Sequence, residues 1–525
     1  MTLREKATKF MFHGVTLGVL SALSVLAPLV YYSFRFGWVY VDQAVFDGFC
    51  LTLFCLMMIN ALLGAAIDVC KIYHIECRNI RLLETKWVLA AAIVHGALTC
   101  LFAIVALVFV AVAGAESASV GFRFIGESLP AFAAAYGAVV LALFLPKVAN
   151  RKLRAAVAAI TVFVTVVAIL GAVFPCTPYR ILSHPIVIDN GRDYSVVFAT
   201  NDIGTGYIEY TYDGTQYKVY DENNGRLNGD SCIHTIRVPY EHLEDNAYRV
   251  GTRRVIDELS YGGRTGAERV SDEYRFASMK GDAEQNYLMI SDWHTHTRKA
   301  KKAIDCVGAY GGVIMLGDSS PGLNFEEEVS AYIVEFGGEI TQGRMPIVFA
   351  RGNHETRGPY AGKLADDLGM DKYYYTVDTG DYTFLVLDSG EDKQDDHPEY
   401  GGMVDYAQYR RQMVEWLERA PIDRSDRIVA LVHSSEIAIE EDLRDRAYRR
   451  LTELGVQYVF SGHTHLCGVT ESYAAGMITY EDGGFDADRF IASKIVLRGD
   501  AVDIQAWNDK GQLVFDNAHR STTAR

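Results

Sequence analysis

Positive charge is what this chain has too little of. Lysine and arginine number 50 against 66 aspartates and glutamates, a formal net charge of −16 at pH 7. A duplex nucleic-acid partner needs a basic stripe to displace counterions, so the balance argues against one. No internal repeat and no low-complexity tract is present, which argues against a solenoid and against long disordered linkers. No Asn-x-Ser/Thr sequon occurs outside the apolar blocks, an absence compatible with a bacterial source. Cysteine is sparse as well. Of the nine, Cys50, Cys55, Cys70, Cys77 and Cys100 fall in or beside apolar blocks. Only Cys176, Cys232, Cys306 and Cys467 remain as candidates for disulfides, and spacing does not fix their pairing.

What the chain does have is a sharp split. Up to about Phe174 it consists mostly of apolar blocks; beyond that it reads as a soluble protein. At 525 residues it is too long for one core. Five blocks are long enough to cross a bilayer as helices, roughly Phe10–Tyr31, Ala44–Val69, Trp87–Ala113, Leu129–Pro146 and Leu153–Val173. Residues 1–175 are therefore expected to form an all-α transmembrane bundle. Basic residues concentrate before the first block (Arg4, Lys6, Lys9), between the second and third (Lys71, Arg78, Arg81, Lys86) and between the fourth and fifth (Lys147, Arg151, Lys152, Arg154). Positive loops mark the cytoplasm, so the expectation is a multi-pass plasma-membrane protein with a cytoplasmic N-terminus and an extracytoplasmic soluble part.

The soluble part changes rhythm once. Residues 178–280 alternate like a small all-β domain, with candidate strands Ser195–Thr200, Tyr207–Tyr212, Gln216–Tyr220, Ile233–Val238, Ala247–Thr252 and Glu273–Ala277. Turn signals such as Asp213-Gly214 and Asn224-Gly225 separate them, which suggests an immunoglobulin- or fibronectin-like β-sandwich. Residues 285–525 alternate strands with helices, an α/β pattern. Candidate strands are Tyr287–Ile290, Val313–Leu316, Pro346–Ala350, Thr383–Leu387, Ile428–Val432 and Val456–Phe460. Candidate helices are Arg298–Tyr310, Phe325–Phe336, Val404–Glu418 and Glu441–Leu454.

Five of these apolar runs end in residues able to bind metal. In order they are Asp292-Trp293-His294, Gly317-Asp318, Gly352-Asn353-His354-Glu355, His433 and Gly462-His463-Thr464-His465. Carboxylate, imidazole and amide oxygen suit two divalent ions, and in α/β sheets such groups collect at the carboxyl ends of strands. The combination closely resembles the calcineurin-like metallophosphoesterase superfamily, whose pattern is D-x-H, G-D, G-N-H-[DE], H and G-H-x-H. The resemblance covers about residues 285–470. It implies a four-layer αββα domain and a phosphoesterase with two divalent ions, manganese, iron, zinc or cobalt. Asp292, His294 and His465 would hold the first ion, Asn353, His433 and His463 the second, and Asp318 would bridge them. Water activated between the ions would attack phosphorus. His354 would protonate the leaving group or stabilise charge on phosphorus, which places it with Asp318 as catalytic. Arg351 and His296 are candidate substrate contacts.

Purple acid phosphatases resemble this chain in joining a fibronectin-like domain to the same fold. They lack the His of D-x-H and carry a Tyr ligand three residues after the bridging Asp. Here His294 is present and that third residue is Pro321, so a tyrosinate-bound ferric site is not expected. The remaining histidines, His13, His74, His95, His184, His234, His242, His397 and His519, read as surface or core residues, although His95, inside a span, stays open. The expected function is extracytoplasmic hydrolysis of a phosphate mono- or diester on a cell-envelope, lipid-linked or nucleotide substrate. The rival is a membrane receptor that binds a phosphorylated ligand without turnover. The loops 319–324 and 356–363 are placed to set selectivity.

Overall fold

The computed structural model describes residues 3–11, 13–34, 52–67, 86–112, 179–259, 262–422, 427–470, 472–486 and 489–520. The chain divides into two compact units, Met1–Pro178 with Asp257–Arg264, and Tyr179–Ile256 with Thr265–Arg525.

The described part of Met1–Pro178 in the first unit is helical, with α1 (Leu3–Met11), α2 (Gly14–Phe34), α3 (Thr52–Ile67) and α4 (Lys86–Val112). Only one stretch among the described residues, Lys86–Val108, is a helix long and apolar enough to cross a membrane. Helix α2 carries Pro28 in its interior, and its apolar stretch is the shorter Thr16–Pro28. Helix α3 is described over Thr52–Ile67 alone. The expected fourth and fifth spans lie outside the described residues, and the second is described only as α3. Among the described residues, one helix of spanning length therefore stands for the expected transmembrane bundle. Leu17, Ile67, Leu89 and Ala92 form a small apolar core among α2, α3 and α4. His95 supplies a polar contact: its Nδ1 lies 3.1 Å from both the backbone and side-chain oxygens of Asn60, whose Nδ2 donates to Thr99 Oγ1 at 2.9 Å.

The second unit is built on two sheets. Its principal strands are β1 (Ile186–Asp189), β2 (Tyr194–Tyr212), β3 (Ser231–Val238), β4 (Ala247–Leu259), β5 (Glu284–Ile290), β6 (Gly312–Met315), β7 (Pro346–Phe349), β8 (Tyr375–Asp378), β9 (Tyr382–Val386), β10 (Arg427–Leu431), β11 (Tyr458–Ser461), β12 (Ile478–Glu481), β13 (Arg489–Arg498), β14 (Ala501–Asn508) and β15 (Leu513–Arg520). The first sheet runs β15-β14-β13-β5-β6-β7-β1-β2-β4 and on to Gly262–Val270; the second runs β8-β9-β10-β11-β12 and on to Gly468–Thr470. Strands β5, β6 and β7 are parallel to one another, as are β9 to β12.

Side chains alternate along a strand, and the second sheet uses both of its faces. Phe384, Val386, Val429, Leu431 and Phe460 enter a core shared with the first sheet. Leu385, Leu387, Ala430, Val432 and Val459 enter another, shared with α6 (Tyr406–Arg419) and α7 (Glu441–Leu454), after α5 (Thr297–Val307) earlier in the chain. The two sheets touch directly where Phe384 meets Tyr287 edge-on and Tyr375 Oη donates to the Phe349 carbonyl at 2.8 Å. Buried residues of α5 and of the helical stretch 326–341 cover the first sheet, which completes a helix–sheet–sheet–helix stack.

The separate β-sandwich expected over 178–280 is not a sheet of its own. Strand β1 pairs in parallel with β7, Ile188 opposite Ile347, and antiparallel with β2. Its four residues are all buried, the pattern of a central strand with both faces covered. The sequence reading starts its strands at Ser195 and misses this joint. It also divides β2 in two, whereas one 19-residue strand runs through, with a register shift between Ala199 and Gly204 that absorbs the polar residues between. The segment keeps a core of its own, including Phe198, Ile208, Ile236, Val250 and Phe276. Cys232, Cys306 and Cys467 are free thiols; Cys176 lies outside the described residues.

Two predictions follow from this packing. A chain starting at residue 281 lacks β1 and leaves the edge of β7 bare. It is expected to show no cooperative thermal transition by circular dichroism, while residues 179–525 unfold in one step; a cooperative 281–525 fragment would restore the independent-domain reading. The second concerns His234, fully buried with Nε2 3.1 Å from Thr200 Oγ1. Burial lowers its pKa from 6.5 to about 3. The unfolded ring takes a proton below pH 6.5 and the folded ring does not, so stability present above 6.5 is lost as pH falls toward 3. Between pH 7 and pH 5 the loss is about 2 kcal/mol. Denaturant titrations at both pH values should show a smaller drop for His234→Leu than for the wild type, and an equal drop would refute the assignment.

Candidate metal centre

Five strand ends converge. Asp292 and His294 follow β5, Asp318 follows β6, Asn353 and His354 follow β7, His433 follows β10, and His463 and His465 follow β11. Strands β5 to β7 are neighbours in one sheet and β10 and β11 in the other, so their carboxyl ends open onto one crevice. The backbone turns sharply at the exits of β5, β6 and β11. Asp292, His294, Asp318, His463 and His465 have φ of 51°, 34°, 58°, 72° and 60°. Non-glycine residues pay of order 1–3 kcal/mol in such regions, and sites held there by their surroundings are commonly functional. Two motif glycines answer a different need. A Cβ on Gly317 would collide with the backbone of Gly352, and one on Gly352 with Asp318, so the loops after β6 and β7 touch with no room for side chains.

The side chains form three overlapping groups whose ligand atoms lie within 4.8 Å of one another: Asp292 with His294 and His465, Asp318 with His433 and His463, and His294 with Asp318 and His354. His433 Nε2 stands 3.2 Å from Asp318 Oδ2 and 3.1 Å from Asn353 Oδ1. Asp292 is fully buried, yet its Oδ1 makes no hydrogen bond. His465, His294 and His433 place Nε2 at 3.4, 3.9 and 4.0 Å from that oxygen. A bare buried carboxylate oxygen among imidazoles fits a cation, and the mixed N and O donor set suits manganese, iron, zinc or cobalt.

Electrostatics agree. Burial alone would discharge His433, but the charges of Asp318 and Asp292 outweigh it and raise its pKa from 6.5 to about 10. Burial likewise opposes the charge of Asp318, and His433 outweighs it, pulling that carboxylate well below its ordinary value. Burial lowers His294 and His463, which favours the neutral, ligating ring. His465 is raised by its contact with Asp292.

Outer contacts hold these groups in place. His433 Nδ1 donates to the Leu316 carbonyl at 2.6 Å, which turns Nε2 toward the cluster. Asp292 Oδ2 accepts from the His463 backbone N–H at 2.9 Å. Glu355, quoted in the motif without a role, proves to be a brace. Its buried carboxylate accepts from the backbone N–H of Asp318, Ser319 and Gly352 and from Ser319 Oγ, at 2.6–2.9 Å. It thereby ties the β6 and β7 loops together.

Two expected substrate contacts fall elsewhere. Arg351 is buried, paired with Asp388 at 2.7 Å, and its guanidinium lies 4.3 Å from the ring centre of Tyr373. Its charge is already answered. His296 stacks flat on Phe485 with centroids 3.8 Å apart and belongs to none of the three ligand groups. The cation beside the site is Arg357, whose Nη1 stands 2.9 Å from His354 Nε2. It lies in the 356–363 loop, two residues beyond the motif, and a scan of basic residues just past each motif would have found it. His354 Nδ1 lies 3.0 Å from the Pro321 carbonyl, and Nε2 lies 3.7 Å from Asp318 Oδ2.

Residues 286–467 match the model of the calcineurin-like phosphoesterase family. No curated protein matches the chain. Solved structures similar to it include purple acid phosphatase PPD1 from yellow lupin (Lupinus luteus) seeds, 15% identical, covering 63% of this chain and 73% of that one with a TM-score of 0.43. Another is GAP50, the anchor in the inner membrane complex of Plasmodium, 13% identical over 46% and 90%, TM-score 0.35. A third is the cold-active protein-tyrosine phosphatase of a psychrophilic Shewanella, 13% identical over 65% and 99%, TM-score 0.26. Likenesses this distant add no weight to the motif match. With the five motifs gathered into one crevice and the family match across them, the chain carries a calcineurin-like phosphoesterase domain and is a metal-dependent phosphoesterase.

Proposed function

We propose that the chain is a membrane-anchored dimetal phosphohydrolase, its second unit extracytoplasmic, that cleaves a phosphate ester of the cell envelope, a lipid-linked phosphate or a nucleotide. The observation that carries the dimetal reading is the sharing of Asp318 between two ligand groups, one with His433 and His463 and one with His294 and His354, beside the bare oxygen of Asp292. Asp292, His294 and His465 are placed to hold one ion, and Asn353, His433 and His463 the other, with Asp318 between them. Ions bound there supply Lewis acidity and a water of lowered pKa for attack on phosphorus. His354 is partly exposed beside Asp318, within reach of a leaving-group oxygen. The anchoring rests on the apolar stretch Lys86–Val108 and on the basic residues that flank the apolar blocks.

The test is Asp318→Asn in the full chain. Hydrolysis of p-nitrophenyl phosphate with added manganese should fall at least about a hundredfold, and bound metal measured by elemental analysis should drop below the wild-type level. An undiminished rate would sink the proposal. For the location, protease added outside intact expressing cells should degrade the second unit; protection until the membrane is opened would place it in the cytoplasm.

A further inference from the structure

Arg357 is held as few surface arginines are. Its Nε donates to Glu391 Oε1 and its Nη2 to Oε2 at 3.1 Å, a two-pronged grip on one carboxylate. Glu391 is itself fixed. It is buried, and it accepts from Thr356 Oγ1 at 3.2 Å and from Tyr400 Oη at 3.1 Å. Its backbone carbonyl accepts from Arg410, a wholly buried residue that also donates to both carboxylate oxygens of Glu440 at 2.7 Å and to the Ser389 carbonyl at 3.4 Å. One edge of the Arg357 guanidinium is thus locked through two layers of charge-assisted bonds. The opposite edge faces the metal centre, where Nη1 meets His354 Nε2 at 2.9 Å. The Arg357 side chain is 34% exposed.

A planar fork with one side anchored and the other turned toward a hydrolytic centre suits an oxyanion. We propose that Arg357, oriented by Glu391, donates to a non-bridging oxygen of the substrate phosphate and biases the site toward phosphomonoesters. This rests on the phosphohydrolase reading above. A monoester phosphate carries up to two negative charges on three unesterified oxygens; a diester carries one charge on two. A fixed cation beside His354 favours the first.

The experiment compares p-nitrophenyl phosphate with bis(p-nitrophenyl) phosphate, which share a leaving group, on the full chain with manganese. In Arg357→Gln the KM for the monoester and the inhibition constant of inorganic phosphate should both rise about tenfold, kcat and the diester kcat/KM staying within about threefold. Glu391→Gln, which leaves Arg357 charged but loosens it, should move the same two constants in the same direction by less. Metal content and thermal midpoint, read on each variant, should match the wild type. If the wild type hydrolyses neither ester, the functional reading fails and this one with it. If the wild type is active but Arg357→Gln slows both esters equally, changes neither or loses metal, the inference about Arg357 alone is overturned.

Discussion

Two aspartates stripped of water set the terms for the catalytic unit. Asp292 and Asp318 are buried within one crevice, and like charges so placed are tolerated only where positive charge answers them. Both carboxylates draw positive charge toward His433 and raise its pKa. A cation ligated by the neutral ring would answer the same demand. Much of the architecture serves to hold these groups near one another: two sheets whose carboxyl ends face one opening, glycines that let loops touch, and ligands held in backbone conformations they would not choose.

A third buried carboxylate shows how surroundings, not residue type, decide a role. Glu355 sits close enough for Asp318 to raise its pKa further, after burial has already done so. It accepts four hydrogen bonds from the loops around it, whereas Asp292 leaves an oxygen bare. The saturated carboxylate braces backbone; the unsaturated one is available to a metal. Arg351 and Arg357 divide in the same way. The first is spent on Asp388 inside the core, and the second turns one edge toward His354 at the mouth.

Much of the centre was legible because its motifs sit at strand ends, where local sequence specifies both the strand and the turn. Helix α7 begins and ends at the expected residues, and β5 to β7 and β9 to β11 lie within a few residues of expectation. What sequence could not carry was pairing over distance. Ile186-Val187-Ile188 is a short apolar run that says nothing of its partner, and that partner is β7, well over a hundred residues on. Arginine roles were illegible for a related reason. Arg351 lies nearest the ligands in sequence, yet Asp388 and Tyr373, from later in the chain, claim it. The span count is not settled by the described residues, which hold one helix of spanning length, Lys86–Val108.

The joint between β1 and β7 also dictates an order of assembly. On the ribosome β1 is made while its parallel partner is still about 160 residues away. At 5–20 residues per second that is a wait of roughly ten to thirty seconds. Through that interval β1 and β2 can pair, but one side of β1 keeps its backbone N–H and C=O groups unpaired. The nascent chain therefore carries an adhesive edge beside a newly made apolar segment, and it must be shielded until β7 arrives to close the sheet.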